Sequence, residues 1–115
     1  MRTIKINGKD YKYHFGFGAM MYYEQLTGGA FNYDGSIIAT LAIHYSCLAV
    51  SDDAFNMSVA EFSAALDKSP ALRAELAAAF VEEVKKFNAD GLDNKANAEA
   101  EAGENKEPDE AKKKN

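Results

Sequence analysis

The chain has 115 residues, enough for a single domain, and 47% of them are hydrophobic, so it can build a core. Its formal net charge of −5 argues against a nucleic-acid partner, because phosphate binding needs a clustered basic face. With one cysteine, Cys47, no intramolecular disulfide can form, which fits a cytosolic setting, and no stretch reaches the roughly 18 apolar residues that would span a bilayer.

At the N-terminus, "TIKI" at 3–6 and "YKYHF" at 11–15 both alternate apolar with polar residues. Between them "NGKD" holds Asn7-Gly8, a pair with the backbone freedom of a tight turn. A β-hairpin is predicted, with Ile4, Ile6, Tyr11, Tyr13 and Phe15 on one face. Alone it would be marginal, so that face must rest on helices. The same start lacks the continuous apolar region of a signal peptide.

From Phe17 the period becomes helical, running through Met20, Met21 and Tyr23 or Glu24 to Leu26, with Gly28 in the place of a C-terminal cap. After the loop "GGAFNYDG", Asp34 or Ser36 can cap a second helix. Its apolar positions are Ile37, Ile38, Leu41, Ala42, Tyr45, Leu48 and Ala49, one broad buried stripe. Ser58 and Glu61 have the spacing of a capping box, opening a third helix with Val59, Phe62, Ala65 and Leu66 inward. Ser69 and Pro70 are the cap and first position of a fourth, with Leu72, Leu76, Phe80, Val84 and Phe87 as its stripe. On its other face Glu82 and Lys86 form a favourable i, i+4 pair. Asn88-Ala89-Asp90-Gly91 is expected to end that helix. Residues 93–115 carry seven acids against five bases, with no aromatic residue and no large aliphatic one, and read as a disordered tail. The expected class is therefore mainly α (α+β): a hairpin packed on a small bundle of about four helices in residues 1–90, with a disordered, charged tail over 91–115.

Little in the chain assembles chemistry. Gly16 and Gly18 stand between a strand and a helix, where a phosphate loop can occur. A dinucleotide fingerprint would need a third glycine at Met21, and a P-loop would need Gly-Lys-Ser/Thr. The pair instead marks a close backbone junction between hairpin and helix. His44 and Cys47, at i, i+3, are too few for a zinc site, and a cysteine within an apolar helix usually packs as a small hydrophobe. Asp52-Asp53 fits a helix end better than half of a carboxylate site. No catalytic, metal or cofactor residue is assigned, and the chain reads as a binding or assembly protein rather than an enzyme. Tyr11, Tyr13, Tyr22, Tyr23, Tyr33 and Tyr45 have the apolar body and polar tip common at interfaces, and Met20 and Met21 add adaptable surface. Against that, a domain without tryptophan must fill its core with such residues. Phe15, Phe17, Met20, Met21, Tyr22, Tyr23 and Tyr45 are the candidate partner-contacting residues, with Phe15 and Phe17 as packing anchors.

The stretch "IKINGKDYKYHFGFGAMMYYEQLTGGAF" resembles the start of tail assembly chaperones of long-tailed bacteriophages. Those proteins often open with I-x-I-N-G-K-x-Y and continue with F-x-F-G-A, an apolar residue, three further positions of any type, then E-x-x-T-G. Here the pattern falls on Ile4, Ile6, Asn7, Gly8, Lys9, Tyr11, Phe15, Phe17, Gly18, Ala19, Met20, Glu24, Thr27 and Gly28. The resemblance covers residues 3–31 by motif and the rest by architecture. It implies a protein that binds the tape measure protein, keeps it soluble and recruits tail tube subunits. Such a protein acts in the cytoplasm of the bacterial host, is absent from the mature virion and can self-associate. The alternative is a small structural tail or adaptor protein of the virion. A frameshifted longer product is a further expectation of the family, and lysine codons at 112–114 could provide an A-rich slippery site.

Overall fold

The computed structural model describes the backbone of residues 2–99 and the side chains of residues 2–89. Two strands, β1 (Arg2–Ile6) and β2 (Lys9–Tyr13), are followed by four helices: α1 (Phe17–Thr27), α2 (Ile37–Ser51), α3 (Val59–Lys68) and α4 (Pro70–Glu99). The chain divides into two compact units, one ending at Val84 and the other beginning at Lys85. A hairpin with four helices is the predicted architecture.

β1 and β2 pair antiparallel, with Ile4 opposite Tyr11 and Ile6 opposite Lys9. Asn7 and Gly8 alone make the turn, both at positive φ (53° and 82°), the pattern whose twist matches that of paired strands. Lys9 and Asp10, expected in the turn, belong to β2, and Asp10 meets Lys5 across the ladder at 3.1 Å. Ile4, Ile6, Tyr11 and Tyr13 are buried on one face. Burying each such side chain is worth about 1.5–3 kcal/mol, so this face holds the hairpin on the helices.

α2 is the central helix. From Ala42 to Leu48 every residue but Tyr45 is buried, because β2, α1 and α3 all lie against it. Ser36 is its cap, accepting from the Ala39 amide, while the Asp34 carboxylate accepts from the Ser36 amide. The buried stripe is shifted from the expected one. Ala39, Ile43 and Cys47 face inward, whereas Ile37 and Ile38 stand 85% and 73% exposed, in the first turn ahead of the packed section. The Asp52 carboxylate closes the other end, accepting from the Ala54 amide and, across to β2, from the Lys12 amide, both at 2.9 Å. It is a structural pin rather than half of a carboxylate site.

α1 ends as expected at Gly28, left-handed at φ 79°, whose amide returns to the Glu24 carbonyl. Its buried residues are Ala19 and Tyr23; of the predicted stripe Tyr23 is buried and Met20 half-buried, while Phe17, Met21 and Leu26 are exposed. The α3 capping box is present in full. Ser69 caps α4 through the Leu72 amide. Leu72, Leu76, Ala79 and Glu83 form the buried seam of α4; Leu72 and Leu76 are predicted positions, and beyond them Ala79 and Glu83 take the inward places while Phe80, Val84 and Phe87 are half-buried. The helix does not stop at residues 88–91 but continues to Glu99. One glycine in a helix costs only about 1 kcal/mol against alanine, and the following segment, rich in Ala, Lys and Glu, favours helix. The tail reading for residues 100–115 lies outside the described residues.

Aromatic rings do the work of the missing tryptophan. Tyr11, Phe55, Tyr45 and Phe62 form one edge-to-face cluster, with centroids 5.3–6.0 Å apart. Phe15 joins Phe31 and Phe80 in a second, and Tyr23 adds to it through Phe31 at 5.1 Å.

Candidate functional site

Between the N-terminal half of α2, the C-terminal half of α3 and the first half of α4 lies a groove of about 550 Å³. Its α2 wall carries Ile37, Thr40, Leu41 and His44; the α3 wall carries Ser63, Leu66 and Asp67. The α4 wall carries Arg73, Leu76, Ala77, Phe80 and Val81, and Tyr33 closes one end from the loop before α2. Local sequence explains each wall. The Ser36 cap starts α2 at Ile37, so apolar residues occupy a turn that has no layer over it. The Ser69-Pro70 junction turns α4 directly out of α3, leaving Leu66 and Leu76 on facing walls. Arg73 donates to the Leu66 carbonyl, which ties its charge to the end of α3. Apolar surface continues past the rim, where Ile37 is 85%, Val81 53% and Tyr33 42% exposed.

His44 is the buried polar residue of this groove, 5% exposed. Its Nδ1 lies 2.8 Å from the Tyr13 hydroxyl, and its ring stands edge-on to Phe80 at 5.9 Å. Burial pushes its pKa down to about 4, so the imidazole is neutral at pH 7. The Cys47 thiol also lies beside the Tyr13 hydroxyl. Burial pushes that thiol up to about 12 and raises the Tyr13 phenol as well. All three groups are neutral, and the phenol stands beside both the imidazole and the thiol. Cys47 is fully buried, and its raised pKa keeps it a neutral thiol at pH 7.

A second polar cluster fastens the hairpin to α4. His14 Nδ1 donates to Glu83 Oε1 at 2.7 Å, and the Phe15 amide donates to the same oxygen at 3.4 Å. Glu83 is 1% exposed. Burial raises its carboxyl, but the bonds from His14 and the Phe15 amide outweigh that and hold it below the usual carboxylate range. Nearby, the Arg2 guanidinium meets Glu82. Among the described residues no group of three or more His, Cys, Asp or Glu side chains is placed to hold a metal ion.

None of the residues selected from sequence as partner contacts lines the groove. Phe15 and Tyr23 are buried in the second aromatic cluster. Tyr45 is half-buried, donates to the Met57 carbonyl and lies 6.2 Å from the half-buried Tyr22 ring. Met20 is half-buried. Phe17 and Met21 are 73% and 62% exposed, one turn apart on α1. Of the two expected packing anchors only Phe15 is buried, because α1 turns its Ala19–Tyr23 edge inward. Gly16 is extended and precedes α1; neither it nor Gly18 has a positive φ, and a side-chain carbon at Gly18 would meet nothing. The junction is there, but steric crowding does not demand its glycines. The groove residues went unselected because counting helical period assigns them to the core. The usable signal is the width of the α2 set, which includes Ile37, Ile38, Leu41 and Ala42 and exceeds what one buried face can hold. No family model, no curated protein and no solved structure matches this chain.

Proposed function

We propose that the protein is a tail assembly chaperone of a long-tailed bacteriophage or prophage, binding the tape measure protein in the host cytoplasm, keeping it soluble and recruiting tail tube subunits. The observation that carries this reading is the apolar groove between α2, α3 and α4, with Ile37 and Val81 exposed on its rim. A groove of this kind accepts the apolar face of a helix, with side chains at i, i+3, i+4 and i+7 as anchors. Covering Ile37 alone is worth about 1.5–3 kcal/mol, so a few such contacts reach useful affinity. The motif spread over residues 3–31 supports the same reading.

The test is co-expression of the full chain with the tape measure protein encoded by the same phage. Retention of the tape measure protein on the tagged chain, and a gain in its soluble fraction, are the expected results. Loss of both overturns the reading. Purified particles should lack the chain; a fixed copy number in them would favour a structural adaptor instead.

A further inference from the structure

The groove contains a polar group that the fold does not use. His44 is nineteen-twentieths buried, its Nδ1 is engaged by Tyr13, and no hydrogen bond among the described residues uses its Nε2. Leu41, Leu76 and Phe80 are among the apolar residues of the groove walls, and Phe80 stands edge-on to the imidazole. The tautomer follows from the chemistry of the contacts. A phenol is a good donor and a poor acceptor, and a neutral imidazole nitrogen is the strongest acceptor within its reach. Tyr13 therefore donates to Nδ1, and the ring proton resides on Nε2.

We propose that the Nε2–H of His44 selects what docks in the groove: an apolar helical segment carrying one uncharged hydrogen-bond acceptor, a Ser, Thr, Asn or Gln side chain, where it crosses His44. This rests on the chaperone reading of the groove and gives it a sequence preference. A wholly apolar helix would bury the donor unpaired, and a charge placed beside His44 against the Phe80 ring would lose its hydration. The apolar rim at Ile37 and Val81 extends beyond the groove, which fits a chain segment rather than a small molecule. The specificity is thus a penalty on wrong partners as much as a gain with the right one.

Two measurements test it. In the unmodified chain, side-chain ¹⁵N spectra should show His44 protonated at Nε2 and bare at Nδ1; the opposite tautomer overturns the proposal. In binding, titration of the purified tape measure protein should show His44→Phe weaker than wild type by roughly ten- to hundredfold. His44→Gln, whose amide nitrogen falls near Nε2, should stay within a few-fold. Equal binding by His44→Phe and wild type overturns the proposal while the chaperone reading stands. If wild type itself does not bind, both fall. A homodimer dissociated by Ile37→Lys would assign the groove to a second copy and overturn the proposal as well.

Discussion

Acidification should destabilise this protein through His44 before its carboxylates titrate. The imidazole is buried against Phe80, with only the Tyr13 hydroxyl beside Nδ1, and burial lowers its pKa from the usual 6.5 to about 4. A folded-state value below the unfolded one means that the unfolded chain takes up the proton first. The stabilising contribution is therefore complete above pH 6.5 and is lost progressively as pH falls from 6.5 toward 4. Linkage over that window gives a loss of about 2 kcal/mol by pH 5 and about 3 kcal/mol by pH 4. For a unit of this size, 2 kcal/mol corresponds to a fall of about 8–16 °C in Tm. Thermal melts followed by circular dichroism at pH 7, 6 and 5 would measure it, with His44→Gln as the control that cannot titrate. The variant should start less stable, having lost its packing on Phe80, but its Tm should fall much less between pH 7 and 5. Equal falls in both proteins, or a flat wild-type profile, would refute the placement of His44 as a buried neutral base.

Three other outcomes are expected. Ile37→Lys with Val81→Lys should alter stability by no more than about 0.5 kcal/mol for each change, since both side chains are exposed, yet abolish co-purification of the tape measure protein. Glu83→Ala removes the acceptor shared by His14 and the Phe15 amide and should cost about 1–3 kcal/mol in chemical denaturation. Because the Glu83 carboxyl is held low, its contribution is full above the usual carboxylate range and fades as pH drops below it, so the gap between wild type and Glu83→Gln should close in acid. Finally, Cys47, fully buried with its pKa raised to about 12, should resist iodoacetamide in the native state and react only at the rate of unfolding.

The elements were legible where local chemistry decides them. Asn7-Gly8, Gly28, the Ser58–Glu61 box and Ser69-Pro70 act within four residues of themselves, so their effects appear in the sequence as spacing. What was not legible depends on which neighbour lies against a helix. α2 is covered on several sides in its middle and uncovered at its start, so a single periodic count placed Ile37 and Ile38 inside. Glu83 was missed for a related reason. A carboxylate in the seam of a helix looks like a surface residue until His14 and the Phe15 amide, almost seventy residues earlier, are brought to it. The candidate contacts in and around α1 were chosen by residue type, and type does not distinguish Tyr23, at 6% exposure, from Phe17, at 73%.

The same long-range pairing links the fold to the groove. Tyr13 is a fully buried hairpin residue, and its hydroxyl is what orders the His44 ring on α2. Under the proposed tautomer, the strand that holds the hairpin on the core also sets which nitrogen of His44 carries the proton into the groove. Tyr13→Phe would keep the ring packing and release the tautomer, so a fraction of the chains would present a bare nitrogen to the docked segment. A groove built only from apolar side chains would have no such dependence on the N-terminal strand. The hairpin, whose motif carries the resemblance to tail assembly chaperones, therefore reaches the groove through a single hydroxyl, although neither strand lines it.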